Sequence, residues 1–357
     1  MTSASRLQRF SLDLEQPLTT GDGEIASREG FLVGVDRGDS RTTRGVGEAT
    51  PLPGWTESLA ECEAALRNPP DSWISGGVDA EGPLERPPET PAARHGYRLA
   101  RFDAAGRAEN RSLAALLADR VGFSEPAESV PVNATVGDGS VDETAAAARA
   151  AVDAGFACLK LKVGARSLSA DIERVRAVRD SVDATLRVDA NGAWTGETAR
   201  EAVDAFESLD VTYIEQPVPA DELAELGALR GRGVAIAADE TVGLHGVNPV
   251  LDAEAADVAV LKPMVLGGPD VAVAAAKRLR ENGVEPVITT TIDGAVARAA
   301  AVHAAAAVPD IRACGLATGE LLAADFGSDP VPVEAGRITV PDGPGNVGEV
   351  FDGGLWD

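Results

Sequence analysis

Eight apolar, β-branched runs recur at near-constant intervals through the later part of this 357-residue chain. They are Val130–Val136, Cys158–Val163, Leu186–Asp189, Val211–Glu215, Val234–Asp239, Val258–Lys262, Pro286–Thr291 and a weaker one around Cys314–Thr318. Landmarks at their C-terminal ends fall at 162, 189, 215, 239, 262, 290 and 318, which are 27, 26, 24, 23, 28 and 28 residues apart. A strand, a helix and two short connections occupy about that length, and alanine-rich stretches follow most of the runs. Such units in series predict an α/β chain closed into a (β/α)8 barrel. An open doubly wound sheet would want a glycine-rich phosphate turn after its first strand, and Val136-Gly-Asp-Gly-Ser140 is a poor match to one.

The first hundred residues read differently, as mixed α and β. Phe10–Leu14 and Phe31–Val35 carry strand patterns, and Leu18–Arg28 between them reads as a polar, glycine-containing loop. Glu57–Asn68 reads as a helix stopped by Pro69-Pro70, and Pro83–Pro91 as a connection. In the tail, Arg337–Pro341 is a candidate strand, and the tail is expected to pack back on the N-terminal region. The expected organisation is a domain over residues 1–125 completed by the tail 325–357, and a barrel over 126–324.

Composition excludes several classes. With 57 acidic against 32 basic residues the formal net charge is −25, a field that repels nucleic acid and anionic membranes. No apolar run reaches membrane-spanning length, and Met1–Phe10 lacks the apolar segment of a secretory signal. Three widely spaced cysteines fit neither a disulfide framework nor a zinc site, and His95, His245 and His303 are scattered. The expectation is a cytoplasmic protein with no nucleic-acid or membrane partner. Because the carboxylates are dispersed, a halophilic source is expected as well. Oligomeric state has no signature in the sequence.

The basic residues are unevenly divided. Only Lys160, Lys162, Lys262 and Lys277 are lysines; the rest are arginines. Arginine replaces lysine as a surface cation but not as a base, because guanidinium does not deprotonate near neutral pH. Lysines that persist in this background are candidates for chemistry. Lys277 lies in Ala274–Arg280, where a solvated helix face explains it; the other three end barrel strands.

The active site of such a barrel lies at the C-terminal ends of its strands. The second strand brings Lys160 and Lys162 there on one side, the third Asp189, the fourth Glu215, the fifth Asp239 and the sixth Lys262. Charges ending apolar runs are costly unless paired or bound to metal. Three carboxylates from consecutive strands describe a site for a hard cation such as Mg²⁺. A cation beside a developing oxyanion and a flanking lysine base suit removal of a proton α to a carboxylate. The bland alternative is an inert ion-pair cluster. Val265-Leu-Gly-Gly268 reads as a tight turn rather than a phosphate loop, and Trp55 and Trp194 are candidates either for the pocket wall or for simple packing.

Leu159-Lys-Leu-Lys-Val-Gly164, Val188-Asp-Ala-Asn-Gly192, Tyr213-Ile-Glu-Gln-Pro217, Ala238-Asp-Glu-Thr241 and Leu261-Lys-Pro263 resemble, in the correct order, the barrel motifs of the enolase superfamily, muconate-lactonizing subgroup. The resemblance implies an N-terminal α+β capping domain, and Gly47–Gly54 is similar to a segment of that cap. It implies that Asp189, Glu215 and Asp239 bind Mg²⁺ (or Mn²⁺) and that Lys162 is the acid/base on one face of a small carboxylate substrate. Lys160 would ease deprotonation of Lys162, and Lys262 would stand on the opposite face. Asn191 and Glu240 would support the site or orient substrate.

The last two strands bear on the reaction. Thr289–Ala295, with Arg298 beyond, and Cys314–Leu322 resemble segments of the superfamily's o-succinylbenzoate synthases. That implies a dehydratase of menaquinone biosynthesis, with Thr290, Thr291 and Gly315 near a substrate carboxylate. Racemisation of N-succinylamino acids or epimerisation of dipeptides is the alternative, followed by muconate-type cycloisomerisation. A dipeptide epimerase would carry an Asp-x-Asp pair near the eighth strand, and Cys314-Gly-Leu-Ala-Thr318 has none.

Overall fold

The computed structural model of the chain describes residues 6–20, 23–36, 44–75 and 84–348. The N-terminal sheet is antiparallel: β1 (Arg6–Thr20) pairs with β2 (Gly23–Asp36), which pairs with β3 (Arg44–Ala49). The expected loop at Leu18–Arg28 is therefore corrected. The strands run through it, with Leu18 opposite Ile25, and only Gly21 and Asp22 lie outside the described residues. Cross-strand pairing satisfies the backbone here, with Glu24 and Ala26 exposed while Ile25 packs with Leu12 and Leu14.

The helix Leu59–Arg67 starts at Ser58, whose hydroxyl and the Glu61 carboxylate cap each other's backbone, and it ends at Asn68 before the two prolines. The helix Pro91–Glu109 lies across β3 at very short range. A Cβ on Gly47 would sit 1.9 Å from the Gly96 carbonyl oxygen, so neither strand nor helix can carry a side chain at that crossing. The cap core (Phe31, Val33, Cys62, Leu66, Tyr97) also includes Met264 and Ala297 from the barrel.

After β4 (Ser129–Pro131) comes the barrel: β5 (Ala134–Val136), β6 (Cys158–Lys162), β7 (Thr185–Asp189), β8 (Val211–Glu215), β9 (Ala235–Ala238), β10 (Val258–Leu261) and β11 (Glu285–Ile288). All seven pair in parallel in sequence order. The eighth position is reduced to single bridges, Thr289 to Gly315 on one edge and Val132 to Cys314 on the other. These close the sheet, so the fold is the α/β barrel with a capping domain. No helix among the described residues is long and apolar enough to cross a membrane.

The tail makes separate contacts. β12 (Val333–Glu334) and β13 (Arg337–Thr339) extend β4. Asp325 and Asp329 pair with Arg298, and the Asn346 backbone N–H donates to Asp103 Oδ1 of the helix Pro91–Glu109.

His303, fully buried, joins three of these segments. Its Nδ1 accepts from the Ala114 backbone, and its Nε2 donates to the Asn346 carbonyl. Burial pushes its pKa down to about 4. The unfolded chain therefore binds a proton at His303 near pH 6.5 that the folded chain refuses until about pH 4. Stability from this group is full above pH 6.5 and is lost as pH falls through that window, by about 3 kcal/mol at most. Urea midpoints at pH 7.5 and pH 5 should differ less for His303→Gln than for the wild type; an equal difference would show that His303 carries no such linkage.

Candidate active site

Each functional side chain stands where its strand ends. On β6 the side chains of Lys160 and Lys162 both enter the barrel, as their spacing of two requires. Lys160 Nζ donates to Glu215 Oε1 at 2.8 Å and lies 3.0 Å from Asp189 Oδ2. Lys162 Nζ donates to Asp189 Oδ2 at 2.7 Å and to Asn191 Oδ1 at 2.8 Å. Asn191 Nδ2 donates to Glu240 Oε1 at 3.1 Å. Across the barrel, Lys262 Nζ lies 2.6 Å from both oxygens of Asp239. It also sits 3.4 Å from the centroid of the Trp55 ring, which the cap places over it.

Burial sets the electrostatics. It opposes ionisation of Asp189, yet Lys160 and Lys162 hold that carboxyl well below its usual range. Burial and the charge of Asp189 push Glu215 up to about 7, against the pull of Lys160. Burial also lifts Asp239 to about 6 despite Lys262. Lys160 is desolvated, but Asp189 and Glu215 keep it charged far above the ordinary lysine range.

The donor set suits a hard divalent cation: carboxylates from three consecutive strand ends, with Asp189 and Asp239 both repelling charge on Glu215. In the present arrangement the lysine ammonium groups stand among them. Among the described residues no three carboxylate, histidine or cysteine side chains are drawn together as a formed metal cluster.

A cavity of about 1660 Å³ opens above these groups. Lys160, Lys162, Asp189, Asn191, Asp239, Glu240 and Lys262 reach it, as do Trp55, Ile25 and Thr290. Thr290 shares a 2.9 Å hydrogen bond with Thr318 across the seam. Thr291 and Gly315 are not brought to the cavity. The Thr291 hydroxyl bonds Asp293, and Gly315 meets Thr289, whose Oγ1 donates to the Gly315 carbonyl at 2.8 Å. Trp194 packs on Phe206 rather than on the cavity. Ile292, at the cavity wall, holds φ at 61°, a costly conformation for a β-branched residue. Arg28 of β2 grips its carbonyl at 3.2 Å.

Two supporting residues have no assignment from the sequence. Gln216, buried and left-handed at φ 41°, follows Glu215. Its Oε1 accepts from the backbone of Asp239 and Thr241, and its Nε2 donates to the Val218 carbonyl and Thr241 Oγ1. One amide thereby fixes two carboxylate-bearing strand ends relative to each other. Arg174 donates to the carbonyls of Lys162 and Gly137 and pairs with Asp171, whose other oxygen accepts from Gly164. It pins the end of β6 from behind. The Gln in Tyr213-Ile-Glu-Gln-Pro217 was a visible signal; a buried arginine within a helix was not.

Known proteins extend the picture. Residues 143–350 match the family "Enolase C-terminal domain-like", and residues 2–103 match "MenC, N-terminal domain". The o-succinylbenzoate synthase of Thermobifida fusca is 42% identical over 224 residues, 60% of this chain and 68% of that protein. The o-succinylbenzoate synthase of Mycolicibacterium smegmatis is 36% identical over 288 residues, 78% of this chain and 81% of that protein. Among solved structures, the dipeptide epimerase of Methylococcus capsulatus, complexed with Mg and the dipeptide L-Arg-D-Lys, superposes with a TM-score of 0.81 at 28% identity, covering 97% of this chain and 99% of that one. The L-Ala-D/L-Glu epimerase of Bacillus subtilis superposes at 0.82 with 24% identity, covering 96% and 97%, a likeness of fold. With both of its parts matched, and with synthases as its relatives in sequence, the chain belongs to the o-succinylbenzoate synthase family of the enolase superfamily.

Proposed function

We propose that the chain dehydrates 2-succinyl-6-hydroxy-2,4-cyclohexadiene-1-carboxylate to 2-succinylbenzoate, as a lyase of menaquinone biosynthesis, with Lys162 as its acid/base. The observation that carries this assignment is the unequal setting of the two flanking lysines. The Lys162 side chain is 37% exposed toward the cavity, whereas Lys262 is 11% exposed, held by both oxygens of Asp239 and covered by Trp55. An elimination confined to one face needs one lysine that takes a proton and returns it. Two-base racemisation needs both lysines equally free.

In the reaction, neutral Lys162 removes the proton from the carbon bearing the ring carboxylate. The electron pair left behind forms the new ring double bond as the C–O bond to the hydroxyl breaks. The Lys162 ammonium hands its proton to the departing oxygen, so water leaves and the ring becomes aromatic. Lys160, charged and tied to Glu215 and Asp189, keeps positive charge beneath the substrate carboxylate. Lys262 faces the other side of the ring as a cation. Mg²⁺ or Mn²⁺ held by Asp189, Glu215 and Asp239 would supply further positive charge at that carboxylate as the proton leaves. Thr290 and Thr318 offer hydroxyls at the opposite wall for a second carboxylate.

The test is ultraviolet-monitored turnover of the cyclohexadiene substrate in molar KCl with Mg²⁺. Rapid conversion to the aromatic product is expected, and a folded, metal-loaded protein that leaves the substrate unchanged overturns the assignment. Exchange of the α-proton of N-succinylamino acids with solvent deuterium, with inversion, is what the racemase alternative requires.

A further inference from the structure

Beneath the site the barrel holds one more buried charge. Arg187 precedes Asp189 by two residues on β7, so it enters the barrel one layer lower. Lys160 is its cross-strand neighbour on β6, and Tyr213 is its neighbour on β8. Arg187 is only 2% exposed. Its Nη1 donates to the Ala313 carbonyl at 2.6 Å and reaches Asn133 Oδ1 at 3.5 Å. Its guanidinium carbon lies 4.8 Å from the Tyr213 ring centroid.

No carboxylate among the described residues pairs with it, whereas the equally buried Arg98, Arg174 and Arg298 each hold an aspartate. The adjacent Lys160 adds like charge, and the carboxylates it touches lie in the layer above. Cys158 and Cys314 stand near Arg187, but burial raises both thiols, Cys314 to about 12, so neither supplies negative charge. Two buried donors at this place also lack partners: Nε of Arg187 and Nδ2 of Asn133, which is itself 3% exposed. Burial opposes this charge, and Glu215 in the layer above attracts it without pairing, so the guanidinium lacks a direct counter-ion, for which an aromatic face compensates only in part. Across from this point on β9, Ala235 and Ala237 pack with Tyr213, Val258 and Val287.

We propose that the base of the barrel is an anion site, in which a chloride-sized monovalent anion is held by Arg187 Nε and Asn133 Nδ2. Both groups are hydrogen-bond donors, so one acceptor satisfies them together, and a negative one also answers the unpaired guanidinium. The site is separate from the substrate cavity, since neither residue lines it.

Crystals of the wild-type chain in sodium bromide decide the matter directly. An anomalous peak between Arg187 and Asn133 is expected; a position holding only water, or nothing, overturns the site. In solution, melting is followed while chloride replaces glutamate at constant potassium. Wild-type Tm should rise by about 2 °C per tenfold increase in chloride once the site fills. That rise should vanish in Arg187→Met and weaken in Asn133→Ala. An identical chloride response in the variants overturns the proposal, and if both variants fail to fold the bromide peak decides alone.

Discussion

Replacing Lys162 by alanine should lower kcat on the cyclohexadiene substrate by about 10²–10⁴-fold, the range that a positioned acid/base contributes. The fold should survive. Lys162 is the most exposed of the three site lysines, and its loss leaves Asp189 paired with Lys160 at 3.0 Å. Far-ultraviolet dichroism and Tm should therefore stay near wild type while turnover disappears. Lys262→Ala gives the contrast. If Lys262 acts only as a cation, a variant such as Lys262→Arg should retain part of the activity, which Lys162→Arg should not, because guanidinium cannot take the proton. Equal activity of Lys162→Arg and Lys262→Arg would remove Lys162 from its assigned role.

The second large effect concerns the carboxylates. Glu215→Gln keeps the shape of a fully buried side chain and removes one charge. Its expected signature has two parts. Turnover at saturating substrate should fall by about 10³-fold or more, since the charge stabilisation a divalent ion gives is worth several kcal/mol. The rise in Tm produced by millimolar Mg²⁺ in the wild type should shrink or vanish. EDTA should bring the wild type to the activity of the variant, and Mg²⁺ should restore only the wild type. A variant that is inactive yet still stabilised by Mg²⁺ would place Glu215 outside the metal-binding set.

Much of this was legible in the residues before any coordinates. Regular spacing and apolar runs located the barrel strands because a parallel strand buried on both faces must be apolar along its length. The exceptions to that apolarity, Lys160, Lys162, Asp189, Glu215 and Lys262, stood out for the same reason. Asp239, like Lys262, falls just after its strand rather than within it. Less was legible where pairing, not pattern, makes the structure. The β1–β2 ribbon crosses a polar stretch that looks like a loop, and the eighth strand survives only as bridges at Cys314 and Gly315. Thr290 and Thr291 are neighbours in sequence, yet only Thr290 faces the cavity, because the chain has left β11 and bends there, turning the Thr291 hydroxyl to Asp293. The roles of Gln216, Arg174 and Arg187 depend on which backbone groups converge on them, and no single-sequence pattern carries that.

The near-absence of lysine turns this enzyme into its own probe. Three of its four lysines crowd one site, and the fourth, Lys277, lies outside with a 42% exposed side chain. Isotopic labelling of lysine alone would yield four side-chain signals, three of them reporting directly on the reacting centre. An amine-directed reagent would likewise find few lysines: Lys277 on the outside, and Lys162 as the accessible lysine within. Protection of one modified position by substrate would then count active sites without any assay of product.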